Sequence, residues 1–404
     1  MSGLVVVGAS LAGLRAVEGA RKAGYRGSVT LVGAEEHLPY DRPPLSKAFL
    51  DGPAEAPVFR QESVLCDELG VELVLGTRAH ALDPAQRSVH VGDREIPYEG
   101  LVIATGATAR TFPGSAHLAG VHTLRTLEDA RAVRAALDAG ARTVVIGAGF
   151  IGSEVASAAR KRGLPVTVVE AAPTPLMRAI GAMGEPCSAL HRANGTDLRC
   201  GIAVTGVEGN GRVERVRLAD DTVLDAGLVV VGAGAVPATE WLAGSGVTLE
   251  DGVVCDETLA TGLPGVYAAG DVARWHNPVF GRGMRLEHWS SAAEQGAAAG
   301  AAAAVPGSAE PYETVPYFWS DWYDTRIQFA GVPGADEIRV AQGDPDEGRF
   351  VALYRSGARL TGVLAVNKPR EIMKFRALIA RRTGWSGALE FAARRRELVS
   401  EGAR

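Results

Sequence analysis

Val6-Val7-Gly8-Ala9-Ser10-Leu11-Ala12-Gly13 and Ile146-Gly147-Ala148-Gly149-Phe150-Ile151-Gly152 are the two stretches whose reading decides the fold. Each follows an apolar, β-branched run, Leu4 to Val7 and Thr143 to Ile146, and each opens onto a helical pattern. Glycines at such a junction let the chain turn sharply and bring a helix N-terminus up to a diphosphate. A second strand then ends in an acid suited to a ribose diol: Glu35 after Val29-Thr30-Leu31-Val32-Gly33, and Glu170 after Val166-Thr167-Val168-Val169. A lone glycine pattern is weak evidence, because an ordinary strand-to-helix connection can carry one. Two of them, each with strand, helix and acid in register, predict two nucleotide sites. Ser10 stands where the ideal first turn has its second glycine, and serine is small enough for the loss to be tolerable.

Working outward, a chain of 404 residues predicts two or three domains. With 47% apolar residues, 22% charged residues and a net charge of −5, it reads as an ordinary globular protein that binds neither nucleic acid nor membrane. No apolar run reaches the length of a bilayer span, and Met1-Ser2-Gly3 leads directly into a core strand, so the expected location is the cytoplasm. Cys66, Cys187, Cys200 and Cys255 are scattered, with no CxxC, and neither they nor the eight histidines show metal-ligand spacing. No metal is expected.

Strands and helices alternate over residues 1 to about 110, ending in Gly100-Leu101-Val102-Ile103-Ala104-Thr105-Gly106-Ala107. A second βαβ run extends from near Ala141 to Leu228-Val229-Val230-Val231-Gly232-Ala233-Gly234, and Val266-Tyr267-Ala268-Ala269-Gly270-Asp271 then returns to strand character. Such alternation predicts parallel sheets with helices on both faces. An alanine-rich helix through Val305 with a Pro306-Gly307 stop comes next. Beyond it lie strands around Val315 to Tyr323 and Arg326 to Ala330, a hairpin about Ser356-Gly357, and a basic helix from Pro369 to Arg382. The fold class is therefore α/β, with two Rossmann-like nucleotide-binding domains and a C-terminal α+β domain. The expected boundaries are residues 1–110 and 236–312 for one discontinuous nucleotide domain, 111–235 for the other, and 313–404 for the last.

Together with Pro39-Tyr40-Asp41-Arg42-Pro43-Pro44-Leu45-Ser46-Lys47, Ala104-Thr105-Gly106, Glu154, Gly270-Asp271 and Leu286-Glu287-His288-Trp289, these features resemble the FAD-dependent pyridine nucleotide reductases. The match is closest to the oxygenase-coupled ferredoxin reductase group and covers nearly the whole chain. The resemblance implies FAD on the first domain, NADH on the inserted one, and an electron-acceptor face formed in part by the third. For FAD it implies contacts from Gly8, Ser10, Leu11, Ala12, Gly13, Glu35, Arg42, Ala104, Thr105, Gly106, Arg110, Gly270, Glu287, His288 and Trp319. Asp271 would bond the ribitol, and the helix that starts at Trp289 would face the flavin N1 and O2 side. For NADH it implies Gly147, Gly149, Phe150, Ile151, Gly152, Glu170, Arg178 and Gly234. Lys47 and Glu154 would form an ion pair beside the flavin N5. By residue type alone, Lys47 is equally a surface lysine, Asp271 a turn residue and each Trp a core aromatic.

Three reaction classes fit such a fold. A disulfide reductase needs a cysteine near the flavin, and none lies between Tyr40 and Phe49. A non-enzymatic nucleotide-sensing flavoprotein needs no acceptor face. The third, an NADH-dependent reductase passing single electrons to an iron–sulfur ferredoxin that supplies an oxygenase, is favoured by charge: from Arg349 onward there are 13 lysines and arginines against 4 aspartates and glutamates. A basic region on an acidic protein suits an acidic partner. A rubredoxin reductase or a broad NADH diaphorase is the alternative.

Overall fold

Runs such as Leu4-Val5-Val6-Val7 and Leu228-Val229-Val230-Val231 lack the polar alternation of a half-solvated strand, so they belong in sheets covered on both faces. In the computed structural model, which describes residues 3–305 and 307–401, both runs are buried strands. Met1-Ser2 and Pro306, the expected helix stop, lie outside the described residues. The fold is mixed α/β, and its Cα packing falls into two compact units. One holds the chain up to Asp41, Ala56–Thr108 and Ala235–Pro316; the other holds Arg42–Glu55, Ala109–Gly234 and the chain from Tyr317 on. The short stretch that carries Lys47 thus goes with the second glycine turn, not with the first.

In the first unit, Gly3–Val7 lies between Val29–Val32 and the end of Arg94–Ile103, parallel to both, with Val71–Val74 beyond Val29–Val32. The ten-residue strand Arg94–Ile103 serves two neighbourhoods: its start pairs antiparallel with Ser88–Val91, and Leu101-Val102-Ile103 takes Val266–Ala268 as a parallel neighbour. Helices Leu11–Lys22 and Trp289–Ala304 pack side by side. Gly296 faces Ala12 and Gly300 faces Ala16 so closely that a Cβ on either glycine would lie 2.3 or 2.0 Å from a carbonyl oxygen. The helices therefore run in the same direction, with both N-termini at one end.

In the second unit all five strands of the main sheet are parallel, in the order Asp197–Cys200, Val166–Glu170, Thr143–Ile146, Leu228–Val231, Val121–His122. Helix Phe150–Lys161 follows the central strand, as the second glycine turn predicts. From Tyr317 an antiparallel five-stranded sheet runs Tyr317–Trp322, Thr325–Gly331, Arg359–Val366, Arg349–Ser356, Glu337–Asp344, joined by helices Pro369–Ala380 and Trp385–Glu401. Edge strand Glu337–Asp344 and the last helix are additions to the elements read from sequence. Tyr317–Trp322 alternates strictly: Phe318, Ser320 and Trp322 are buried, while Tyr317, Trp319 and Asp321 are partly exposed.

Candidate functional site

The first turn is pinned by backbone: the Gly8 N–H donates to Val32 O (2.8 Å) and the Ala104 N–H to Val7 O (2.7 Å). Gly8 has φ +122°, and a Cβ there would lie 2.1 Å from Ala104 O; one on Gly13 would lie 1.8 Å from Gly8 O. Neither contact can be relieved by moving a side chain, so both glycines are obligatory. Ser10 is different. It is the helix N-cap, in extended backbone that any residue adopts, which is why a serine can replace glycine there. Leu11 and Ala12 open the helix and are buried. At the far end of the turn, Thr105 donates to Ala238 O (2.8 Å) and Gly106 has φ +69°. Glu35 accepts the Tyr40 hydroxyl at 2.6 Å.

Gly270, φ +77°, sits between Ala12 and Ala292, where a Cβ would lie 3.0 and 3.6 Å from their methyl groups, and its N–H donates to Gln295 Oε1 (2.9 Å). Asp271 is thereby delivered to the starts of both helices. Its carbonyl accepts Arg285 Nη1 (3.1 Å), and that arginine also bridges Glu287 (2.8 Å) and Asp251 (3.2 Å). Trp289 Nε1 donates to Asp41 Oδ1 at 2.8 Å. His288 is the N-cap of the second helix; burial pushes its pKa down to about 4, with Asp271 pulling the other way. Neither helix carries an acid in its first turn. Two positive helix ends with no acid in their first turns, beside a glycine turn, suit a diphosphate and an anionic ring system, so the residues fit FAD.

The second turn divides its labour the same way. Gly147, φ +101°, would place a Cβ 2.5 Å from Gly232 O, and Gly152 would place one 2.1 Å from Gly147 O. Gly149, the helix N-cap, meets only Gly232 O, at 4.0 Å, so its side is open to an approaching ligand. Glu170 is wired into the turn: its carboxylate accepts the Ala148 N–H (2.7 Å) and the Ala172 N–H (2.8 Å). Those two bonds leave acceptor sites for ribose hydroxyls, and the turn fits NADH. Phe150 packs on Phe318 with ring centroids 4.6 Å apart, Ile151 is exposed, Arg178 is exposed, and Gly234 O accepts the Arg110 N–H (2.9 Å).

Lys47 and Glu154 meet. The ammonium is 2.9 Å from each carboxylate oxygen, and Glu154 is only 2% exposed. An unpaired carboxylate at that depth would be costly, and this one is fully provided for. Ser46 donates to Oε2, Ser320 donates to Oε1, and the Asp321 N–H lies 3.4 Å from Oε1. A cavity of about 70 Å³ adjoins the pair, lined by Asp51, Ser157, Lys161, Asp321 and Tyr323 among others. Nearby, buried His191 bonds the Tyr323 hydroxyl (2.8 Å) and Ser153 (3.1 Å), and its pKa is pushed down to about 4 by burial. Arg42 donates to Arg125 O (2.6 Å), and Trp319 stacks on Tyr317 at 6.0 Å. Sequence reading did not single out Ser46, Ser320 or His191. A signal for Ser320 existed: it is a lone polar residue in the buried phase of Phe318-x-Ser320-x-Trp322.

Comparison with known proteins agrees along the length of the chain. The family described as pyridine nucleotide-disulphide oxidoreductase matches residues 2–296, and a reductase C-terminal family matches residues 317–393. Rhodocoxin reductase of Rhodococcus erythropolis is 38% identical over 382 residues, covering 93% of this chain and 89% of the relative. The ferredoxin–NAD(+) reductase component of the anthranilate 1,2-dioxygenase system of Burkholderia cepacia is 38% identical over 385 residues, 93% of each chain. Among solved structures, the covalent putidaredoxin reductase–putidaredoxin complex superimposes with a TM-score of 0.89 at 34% identity, covering 94% of this chain and 93% of that one.

Proposed function

The chain belongs to the pyridine nucleotide-disulphide oxidoreductase family, and from that premise we propose that it is an NADH-dependent ferredoxin reductase serving an oxygenase. The observation that carries this reading within the family is a lysine paired with a buried glutamate, the lysine standing on a stretch with no thiol. Tyr40 to Phe49 contains no cysteine. Elsewhere Cys187 and Cys255 are buried, their pKa values pushed up to about 12 by desolvation, so neither is a ready nucleophile. With no thiol on the stretch that carries Lys47, the electrons on this reading go to an external acceptor.

The protein uses FAD and NAD(H) as cofactors. FAD, when bound, would supply hydride acceptance from NADH and the release of electrons one at a time. The first turn with Glu35, Arg42, Asp271 and the helix starting at Trp289 would hold FAD; the second turn with Glu170 would hold NADH. Lys47, oriented by Glu154, would set charge and geometry for the hydride step. The division into residues 1–110 with 236–312, 111–235 and 313–404 remains our functional partition of the chain. Four free cysteines suit a reducing compartment, the cytoplasm, and among the described residues no helix is long and apolar enough to cross a membrane.

The partner is an acidic iron–sulfur ferredoxin. Arg370, Arg381 and Arg382 are exposed at or near helix Pro369–Ala380, whereas Lys374 is tied to Glu371 at 3.0 Å. The clean probe of docking is therefore Arg370→Glu. It should raise the ferredoxin concentration needed for half-maximal rate several-fold at low salt and leave NADH–ferricyanide activity intact, since ferricyanide needs no docking face. Steady-state NADH oxidation with a panel of ferredoxins and cytochrome c as reporter tests the function itself. A yellow, FAD-loaded preparation that reduces ferricyanide but no ferredoxin would overturn the reading.

A further inference from the structure

Glu154 takes hydrogen bonds from two segments far away in sequence, and the two serines involved are not equivalent. Ser46 and Ser320 are 2% and 0% exposed. The Ser320 hydroxyl also accepts the indole N–H of Trp322, 2.8 Å away, and Trp322 is fully buried. An indole nitrogen can only donate. With its oxygen already accepting from Trp322, the Ser320 hydroxyl has one proton to place, and the available acceptor is Glu154 Oε1. The chain of donors thus runs in one direction, from Trp322 through Ser320 to Glu154 and so to the face of the carboxylate that holds Lys47.

We propose that Trp322 and Ser320 are positioning residues for the Lys47–Glu154 pair: the indole fixes the polarity of the Ser320 hydroxyl, which keeps Glu154 an oriented carboxylate. The inference rests on the reading of that pair as the one acting in hydride transfer. The Lys47 ammonium can only donate, and Ser320, with one lone pair taken by Trp322, could accept from the carboxyl only by turning its own proton away from Oε1. Ser46 donates to the other carboxylate oxygen, Oε2, and adds orientation from a second segment. The arrangement also explains why a polar residue sits in the buried phase of Tyr317–Trp322: it reaches Oε1 while Ser46 holds Oε2.

Two readouts on the FAD-loaded protein test this. The first is the ¹³C resonance of the Glu154 carboxyl carbon at one fixed pH, which reports the hydrogen bonds that the carboxylate accepts; Lys47, Asp51, Lys161, Asp321 and Tyr323 line the adjoining cavity. The second is stopped-flow bleaching of the flavin by NADH. Ser320→Ala should shift that resonance and slow bleaching about tenfold, as expected for loss of a charge-assisted bond. Trp322→Phe should move both in the same direction by less, and Ser320→Thr, which keeps the hydroxyl, should restore both. Glu154→Gln is the companion measurement. If it slows bleaching while Ser320→Ala changes neither readout, the positioning role is overturned and the pair stands. If Glu154→Gln itself bleaches at the parent rate, the reading of the pair falls and the inference with it.

Discussion

The two glycine turns are built to one plan and differ at two places, the second glycine and the acid. Gly8 and Gly147 both need positive φ, and Gly13 and Gly152 both pass within contact of a carbonyl. The middle position is Ser10 in one turn and Gly149 in the other, and both have ordinary extended backbone. Four of the six positions are thus demanded by the protein's own backbone, whereas the middle one answers only to what lies outside it. The acids differ too. Glu35 is oriented by a phenol, Tyr40, while Glu170 is bonded into the turn through Ala148, so in the second turn the residue that would select the nucleotide also supports the loop.

Gly13→Ala and Gly152→Ala should be the most damaging changes, each costing roughly 3 kcal/mol or more because backbone must shift to admit the methyl group. Gly149→Ser should leave the urea midpoint within experimental error and raise the KM for NADH several-fold. If Gly149→Ser unfolds as readily as Gly152→Ala, the division into backbone-imposed and ligand-imposed glycines is wrong.

Acid should weaken both units next, through an imidazole in each whose pKa is pushed down. His191 has a folded pKa of about 4 against an ordinary value of 6.5, so the unfolded chain binds a proton that the folded one refuses. Stability is therefore intact above pH 6.5 and declines as pH falls towards 4, by about 2 kcal/mol between pH 7 and pH 5 from this one residue. His288, half-buried, is shifted in the same direction. A thermal midpoint that is flat between pH 7 and pH 5 would mean that neither imidazole is as enclosed as its surroundings indicate.

Glu170→Ala sharpens the contrast between the acids. It should narrow the preference for NADH over NADPH by removing a charge that repels a 2′-phosphate. It should also cost about 1 kcal/mol, because the Ala148 N–H loses its acceptor. Tyr40→Phe is the smallest change, expected to weaken FAD binding a few-fold at unchanged coenzyme preference. Equal stability losses in the two variants would erase the distinction drawn between the turns.

Both turns were legible because everything that defines them lies within about 30 residues and follows from the local geometry of strand, turn and helix. The ion pair was legible only through resemblance. Lys47 and Glu154 are 107 positions apart, and nothing in the local pattern of either says which partner it will meet. Ser46 and Ser320 were missed for the same reason in stronger form, since serine carries no charge or size to mark it. Glu337–Asp344 escaped because an edge strand with one exposed face and a bulge near Gln342 shows little apolar alternation. Lys374 counts among the basic charges of the C-terminal region, yet it is tied to Glu371; that acid, although burial pushes it up, is held down at about 2 by Arg395 and Lys374.

The close pairing of Leu11–Lys22 with Trp289–Ala304 has a consequence for how the chain is made. The first helix leaves the ribosome early, but the glycine face it must meet, Gly296 and Gly300, emerges only after the whole of Ala109–Gly234. Until then Ala12, Ala16 and Gly19 present an apolar flank with nothing to cover it. The sheet begun at Gly3–Val7 likewise waits for Val266–Ala268. The inserted parallel sheet, contiguous in sequence, can close first. Synthesis thus leaves Gly3–Val7 and Leu11–Lys22 waiting for partners that emerge only after the whole inserted sheet.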